Sequence, residues 1–181
     1  MIASSKLQAG ALFPSIELLT VQDELVDLGY VPTQEHWKLI VIYRGVHCPL
    51  CRNYLETLNC HLQDLERLGV SVIAASADSE RKARQQVDQS ELDLMLAYGL
   101  NSEQMQSLGL YISNPGASPR RERPFAEPGL FLINEEGHIQ LVDISNSAYC
   151  RPAIPMLIQG IQQMREHETP VQGTYEIYAQ I

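Results

Sequence analysis

One segment of the chain joins a short apolar run to a pair of cysteines and then to a row of leucines. The run at residues 39–43 (Leu-Ile-Val-Ile-Tyr) has the length and β-branched content of a buried strand. Arg44-Gly45 follows it, and Cys48-Pro49-Leu50-Cys51 comes soon after. The leucines beyond recur at spacings of three and four, which is typical of an amphipathic helix: Leu55, Leu58, Leu62, Leu65 and Leu68. The sequence therefore predicts that a strand ends, and a helix begins, at a Cys-x-x-Cys motif.

This position gives the two cysteines distinct chemistry. Cys48 is expected near the helix N-terminus, where the helix dipole and free amide groups favour the thiolate over the thiol. Pro49 is compatible with a first helical turn, because its missing N–H has no partner there in any case. Cys51, three residues further on, is within reach to close a short disulfide. The motif therefore predicts a redox centre formed by Cys48 and Cys51.

Two other interpretations of the cysteines remain open. A zinc site would recruit Cys60 and His61, but adjacent helical residues diverge by about 100° and fit a tetrahedral site poorly. Cys60 lies off the leucine row and is interpreted as a bystander. Cys150 either resolves a sulfenic acid on Cys48 or Cys51, pairs between subunits, or is an unpaired cysteine. A non-enzymatic redox sensor or partner-binding protein is the alternative to an enzyme.

Composition limits the class of protein and its partners. A chain of 181 residues with 45% hydrophobic content is expected to form one domain, at 1–181. Its net charge of −9, with 13 basic residues, argues against nucleic acid and against an anionic membrane as partners. Residues 1–10 lack the apolar core of a signal peptide, and no apolar run is long enough to span a bilayer. A cytoplasmic location is therefore expected, where four cysteines are more typical of catalytic, metal-binding or inert thiols than of structural disulfides.

The remaining pattern indicates an α/β fold. Residues 10–31 predict a hairpin with a turn at 22–24, and residues 70–76 predict a second buried strand, with Asp78 or Ser79 capping the next helix. Strand, helix, strand, helix in this order predicts a parallel sheet with crossovers. One continuous helix is expected at 49–68 and a long loop at 111–128. Strands at 130–133 and 139–144 and a helix after Pro152 complete the pattern.

The segment at 43–51 (Tyr-Arg-Gly-Val-His-Cys-Pro-Leu-Cys) resembles the thioredoxin superfamily, in its peroxiredoxin-like branch of alkyl hydroperoxide reductase and thiol-specific antioxidant proteins. Residues 10–18, 72–79 and 128–137 also resemble parts of that branch. The resemblance implies a thioredoxin-like three-layer α/β sandwich, with an N-terminal β-hairpin extension at 1–36, a core at 37–168 and a tail at 169–181. It also implies that Pro128 forms a cis peptide bond and faces the disulfide.

The same resemblance implies antioxidant, cofactor-free chemistry on a peroxide or a disulfide, a thioredoxin- or glutathione-type reductant and a homodimer. It does not decide which sulfur meets peroxide. Peroxiredoxins carry Pro-x-x-x-Thr-x-x-Cys, and neither Cys48 nor Cys51 as the final cysteine reproduces that motif. Arg44 and His47 are the predicted supporting residues, Arg44 by stabilising thiolate and binding peroxide oxygen. An arginine of the long loop is a further candidate: Arg120, Arg121 or Arg123.

Overall fold

The computed structural model describes residues 6–31, 36–116 and 123–174. The strands in these ranges are β1 (Glu17–Thr20), β2 (Leu25–Asp27), β3 (Trp37–Ile42), β4 (Val70–Ala75), β5 (Met95–Tyr98), β6 (Ile112–Ser113), β7 (Phe125–Ala126), β8 (Gly129–Ile133) and β9 (Ile139–Ile144). The helices are α1 (Pro49–Asn59), α2 (Leu62–Arg67), α3 (Glu80–Ser90), α4 (Ser102–Ser107) and α5 (Ile154–Glu166).

Seven of the strands form one mixed sheet in the order β2-β1-β5-β4-β3-β8-β9. Strands β3, β4 and β5 run parallel to one another, joined by crossovers through α1–α2 and α3. The other neighbours in the sheet pair antiparallel. The predicted alternation of strands and helices is therefore confirmed, and it places β3 near the middle of the sheet.

Strand β3 is buried on both faces, which explains its uninterrupted apolar sequence. Leu39 and Val41 belong to the hydrophobic cluster that also contains both cysteines of the motif and buried side chains of α1, α2, α3 and α5. Ile40 and Ile42 belong to a second cluster, on the other face, with Met105 of α4 and apolar residues of the N-terminal segment. The sheet thus lies between a helical layer and a layer built from α4 and the N-terminal segment.

The predicted N-terminal hairpin is present as β1 and β2. Its turn is closed by Thr20, whose hydroxyl oxygen accepts the N–H groups of Gln22 and Glu24 at 3.3 and 3.2 Å. Strand β1 also pairs antiparallel with β5, so the hairpin extends the main sheet. The predicted boundaries at 36–37 and 168–169 stay predictions, and residues 175–181 of the predicted tail lie outside the described residues.

Two predicted elements differ from the structure. The single helix expected at 49–68 is interrupted at Cys60–His61, and Asn59 at the end of α1 is tied to the segment before β5. Its side-chain oxygen accepts the N–H groups of Asp93 and Leu94, both at 2.9 Å. The loop expected at 111–128 contains β6 and β7, which pair with each other. In both places the chain bonds to residues outside its own local stretch of sequence.

Helix α5 carries its buried residues on one face, as the sequence predicts: Ile154, Leu157 and Ile161. It covers the cysteine-containing face of the sheet. None of the helices in the described ranges has the length and hydropathy required to cross a membrane.

Candidate active site

The loop between β3 and α1 is held by one backbone hydrogen bond and one carboxylate. Tyr43 donates its N–H to Ala75 O at 3.0 Å, which continues the pairing of β3 with β4 past the end of the strand. Gly45 has a φ of +124°, and the carboxylate of Asp78 accepts the N–H of Val46 at 2.7 Å. Because β3 and β4 are parallel, Asp78, which follows β4, lies at the sheet edge where the cysteine loop begins. The carboxylate of Asp78, in the segment between β4 and α3, therefore fixes the position of the loop that leads to Cys48.

Cys48 is the N-cap residue of α1, as the sequence predicts. Its backbone is extended, with φ −106° and ψ 104°, and its Sγ accepts the N–H of Cys51 at 3.4 Å. Pro49 is the first helical residue. Only 3% of the Cys48 surface is exposed. A sulfur in this position replaces the serine or aspartate oxygen that commonly caps a helix, and it is best suited to that role as a thiolate.

Cys51 is fully buried in the first turn of α1, in the same cluster as Leu55 and Leu58. Its N–H is the donor to Cys48 Sγ, so the two residues are linked before any disulfide forms. Both cysteines are free thiols in this structure. A buried thiol beside a helix-capping sulfur is the arrangement expected of a reduced dithiol pair.

Arg44 brings a positive charge to Cys48. Its Nη1 lies 3.8 Å from Cys48 Sγ, within hydrogen-bonding range for sulfur, and its Nε lies 3.1 Å from Oε2 of Glu127. Glu127 is 5% exposed and its other carboxylate oxygen accepts the Ser113 hydroxyl at 2.6 Å. The guanidinium also lies 5.1 Å from the centre of the Phe125 ring. The predicted role of Arg44 beside the thiolate is therefore compatible with its position.

A second arginine contacts the other sulfur. Arg151, in the segment between β9 and α5, places Nη2 3.5 Å from Cys51 Sγ. Its Nε and Nη2 donate to Ala148 O at 3.4 and 3.3 Å, and its guanidinium lies 4.4 Å from the centre of the Tyr54 ring. Each sulfur of the motif thus has its own guanidinium.

The environment separates the ionisation of the two thiols. The pKa of Cys48 is lowered from 9.0 to about 5, mainly by hydrogen bonding from the Cys51 side chain, and also by the Cys51 N–H and by Arg44. The pKa of Cys51 is raised, because its bond to Cys48 favours its protonated form and because burial disfavours its charge. Arg151 acts in the opposite direction and lowers the pKa of Cys51. These opposite shifts favour the thiolate at Cys48 and the thiol at Cys51 in the reduced protein.

The other predicted site residues have mixed outcomes. His47 is half-buried and packs edge to face on Phe125, with ring centres 4.8 Å apart, so its predicted role beside Cys48 stays a prediction. The predicted cis bond at Pro128 is wrong, since every peptide bond in the described residues is trans. Glu127 N donates to Tyr111 O at 2.8 Å and Pro128 O accepts from Ser145 N at 3.0 Å. These bonds hold an extended chain from β7 into β8, which the trans form suits.

The other two cysteines are more exposed than Cys48 and Cys51, and two of the three loop arginines lie outside the described residues. Cys60 and Cys150 are exposed, whereas Cys48 and Cys51 are buried. The described residues contain no group of three or more His, Cys, Asp or Glu side chains arranged to hold a metal ion, which leaves the zinc interpretation without support. Arg123 is exposed, and Arg120 and Arg121 lie outside the described residues.

Three supporting residues were not predicted as such. Asp78 was interpreted only as a helix cap, yet its place after a parallel strand is a usable signal that it reaches the cysteine loop. Glu127 and Arg151 carry no local signal, because each meets its partner across a long stretch of chain. Arg151 contacts a sulfur 100 residues before it in the sequence.

Comparison with known proteins identifies a matching family and relatives that are similar over most of this chain. Residues 9–142, about three quarters of the chain, match the model of the AhpC/TSA family. The alkyl hydroperoxide reductase C of Escherichia coli (strain K12) is 22% identical over 146 residues, which cover 80% of this chain and 76% of that protein. The protein of the same name from Staphylococcus epidermidis is 24% identical over 148 residues, covering 81% and 76% of the two chains.

Solved structures show the same fold. A peroxiredoxin-like protein from Aquifex aeolicus superposes with a TM-score of 0.73 at 16% identity, covering 90% of both chains. The reduced 2-Cys peroxiredoxin of Plasmodium vivax gives a TM-score of 0.70 at 13% identity, covering 88% of this chain and 83% of that one. These likenesses confirm the thioredoxin-like α/β fold. The chain therefore belongs to the AhpC/TSA family, as a peroxiredoxin-like antioxidant enzyme whose chemistry is carried by cysteine thiols without a cofactor.

Proposed function

We propose that the protein reduces small hydroperoxides, with Cys48 as the attacking thiolate and Cys51 as the thiol that resolves the product. The observation that carries this assignment is the position of Cys48 Sγ. It caps α1, accepts the Cys51 N–H at 3.4 Å and lies 3.8 Å from the Arg44 guanidinium. The Cys51 sulfur instead contacts the Arg151 guanidinium at 3.5 Å, and its raised pKa favours the thiol while Cys48 is a thiolate.

The reaction has three steps. The Cys48 thiolate attacks one peroxide oxygen, the O–O bond breaks, and the product leaves as water or an alcohol after taking up a proton. Cys48 is then a sulfenic acid. The Cys51 sulfur attacks Cys48 Sγ, the S–O bond breaks, and hydroxide leaves as water with the proton from Cys51. An external dithiol or two thiols, of the thioredoxin or glutathione type, reduce the Cys48–Cys51 disulfide and return the protein to its starting state.

The burial of Cys48 supports a small oxidant. With 3% of the residue exposed, a hydroperoxide reaches the sulfur more readily than a disulfide of a folded protein does. The names of the relatives, alkyl hydroperoxide reductase C, support organic hydroperoxides as substrates alongside hydrogen peroxide. Arg44 is placed to hold a peroxide oxygen beside Cys48, as well as the thiolate itself.

The test follows the two thiols separately. Fully reduced protein is mixed with a slight excess of hydrogen peroxide, and free thiols and mass are followed over time for the wild type, Cys48→Ser and Cys51→Ser. We expect the wild type to lose two thiols quickly and form a disulfide. Cys51→Ser should accumulate a sulfenic acid on Cys48 that dimedone traps, and Cys48→Ser should react no faster than a free thiol. A sulfenic acid on Cys51 in the Cys48→Ser variant would overturn the assignment.

Thiol–disulfide exchange is the second candidate function. The observation that favours it is the Cys-Pro-Leu-Cys motif at the start of α1, where Cys48 could equally form a mixed disulfide that Cys51 then releases. A protein that exchanges with a disulfide substrate readily, yet reacts with peroxide no faster than a free thiol, would establish this function in place of the first.

A homodimer and a cytoplasmic location belong to the same proposal. Light scattering of the reduced and oxidised protein tests whether it is a homodimer.

A further inference from the structure

Arg151 has a contact that the peroxide step does not require. Its Nη2 lies 3.5 Å from the Sγ of Cys51, which is the buried resolving thiol in the proposed function. Cys48 has its own guanidinium, from Arg44, at 3.8 Å. Arg151 also lies beyond residues 9–142, the part of the chain that matches the family model. The two sulfurs therefore receive their positive charges from two residues that are far apart in the sequence.

The Arg151 guanidinium is held in place by contacts on both sides. Ala148 O accepts from Nε and Nη2, at 3.4 and 3.3 Å, and the ring of Tyr54 lies 4.4 Å away. The Tyr54 hydroxyl donates to Pro152 O at 3.0 Å, which ties α1 to the residue next to Arg151. A guanidinium stacked on an aromatic ring and bonded to a carbonyl is fixed in orientation before the reaction begins.

We propose that Arg151 is a catalytic residue of the second step, in which its guanidinium stabilises the Cys51 sulfur as the thiolate that attacks the Cys48 sulfenic acid. This inference rests on the proposed function. It assigns Arg44 to peroxide attack and Arg151 to disulfide formation. The reaction itself is balanced as given above: one S–S bond forms, one S–O bond breaks, and the hydroxide released leaves as water with the Cys51 proton.

The surroundings of Cys51 explain why its ionisation follows that of Cys48. The ionisable groups that act on it are Cys48, Arg151 and the buried Tyr43 hydroxyl. While Cys48 is a thiolate, its negative charge and its bond to the Cys51 thiol keep Cys51 protonated. Once Cys48 is a sulfenic acid it is neutral, and its negative charge no longer disfavours ionisation of the Cys51 thiol. Arg151 then remains as the charged group in contact with the Cys51 sulfur, and it favours loss of the proton.

The experiment measures the two steps in one mixing trace. Reduced full-length protein is mixed with hydrogen peroxide between pH 6 and pH 9, and samples are quenched and analysed by mass for sulfenic acid and disulfide. The variants are Arg151→Met, which removes the charge but keeps a long side chain, and Arg151→Lys, which keeps the charge. Arg67→Met is the matched control, because Arg67 is an exposed arginine paired with Asp64 on α2.

We expect Arg151→Met to slow disulfide formation by about 10- to 100-fold at neutral pH, the effect of losing one hydrogen bond to a charged group. Sulfenic acid should accumulate. The difference in the rate of disulfide formation between Arg151→Met and the wild type should become smaller as pH rises, because a higher hydroxide concentration ionises the Cys51 thiol without the guanidinium. The rate of sulfenic acid formation should change less than about threefold, and Arg151→Lys should recover part of the loss. Arg67→Met should match the wild type in both steps.

The outcomes separate this inference from the proposed function. A wild type that forms no sulfenic acid with peroxide would overturn both. A wild type that forms it, with disulfide formation unchanged in Arg151→Met, would overturn only the role of Arg151. Equal slowing of both steps, or equal rates in Arg151→Met and Arg151→Lys, would also overturn it, because a purely structural role predicts those results.

Discussion

Gly45 shows how a single residue determines the geometry around Cys48. Its φ of +124° lies where residues with a side chain are strained. A Cβ added there would lie 2.7 and 2.8 Å from the two carboxylate oxygens of Asp78. That carboxylate holds the N–H of Val46, two residues before Cys48. The glycine therefore permits both the turn and the close approach of Asp78, and a side chain would disturb both.

Replacing Gly45 by alanine should separate these two effects when compared with a second glycine. We expect Gly45→Ala to lower the free energy of unfolding by about 2–4 kcal/mol, since backbone strain and the clash with Asp78 add together. The thiolate absorbance of Cys48 should also titrate at higher pH, because the loop that places it is displaced. Urea unfolding and absorbance at 240 nm measure the two effects.

The control for this prediction is Gly99→Ala. Gly99 also has a positive φ, of 81°, but a Cβ there meets no atom within 4 Å. It should cost about 1–2 kcal/mol from backbone strain alone and leave the thiolate titration unchanged. Equal losses of stability in the two variants would show that the contact with Asp78 is unimportant.

At the scale of elements, the ion pair between Arg44 and Glu127 connects the end of β3 to the junction of β7 and β8. The two side chains are 22% and 7% exposed, and their charged atoms lie 3.1 Å apart. The chain at Glu127 is extended and trans, which brings the carboxylate to Arg44 directly after β7. The position of the arginine beside Cys48 thus depends on a strand pair far along the sequence.

Removing only Arg44 from the Arg44–Glu127 ion pair should lower the free energy of unfolding more than removing both charges does. Arg44→Met leaves the Glu127 carboxylate buried without its cation, which should lower the free energy of unfolding by about 2–3 kcal/mol. The loss is smaller than for a fully buried pair, because Arg44 is partly exposed and solvent screens its charge. The double variant Arg44→Met with Glu127→Gln should recover at least half of that loss in urea unfolding. Both variants should raise the pKa of Cys48, because both lack the guanidinium.

This prediction has a clear contrary result. If the double variant is no more stable than Arg44→Met, the cost arises from packing of the arginine on Phe125 and not from the unpaired carboxylate. If the pKa of Cys48 is unchanged in both variants, the contact between Arg44 and the sulfur has no electrostatic effect.

Across the full fold, the sequence predicts the parts that depend on local periodicity. The apolar run at 39–43, the leucines of α1 and α2, and the cysteine position at a helix start are of this kind, and so is the N-terminal hairpin. The leucine spacing continues through residues 55–68 and so gives no signal for the break after Asn59, where the Asn59 side chain bonds to Asp93 and Leu94. The sequence likewise predicts that Cys48, Cys51 and Arg44 lie near one another, but it gives no signal that Glu127 and Arg151 join them, because the partners of these two residues are distant in sequence.

The shifted ionisation of Cys48 should also appear in the stability of the whole reduced protein. Its pKa is lower in the folded state than the ordinary value of 9.0, so the thiolate favours folding at pH above 9, and this contribution is lost as pH falls toward about 5. Cys51 has a raised pKa in the folded state and is largely protonated in both states below about pH 8, so it adds little slope over most of this window. The difference in unfolding free energy between the wild type and Cys48→Ala should therefore rise with pH between 5 and 9.

The slope of that difference should approach, and not exceed, about 1.4 kcal/mol per pH unit, which is the value for one proton. Carboxylates and histidines titrate in both proteins, so subtracting the two curves removes their contribution. Urea unfolding under reducing conditions at several pH values gives the required curves. A flat difference would mean that Cys48 has an ordinary pKa, and the assignment of Cys48 as the attacking thiolate would lose its electrostatic basis. A difference that falls with pH would mean that the folded protein favours the Cys48 thiol over the thiolate.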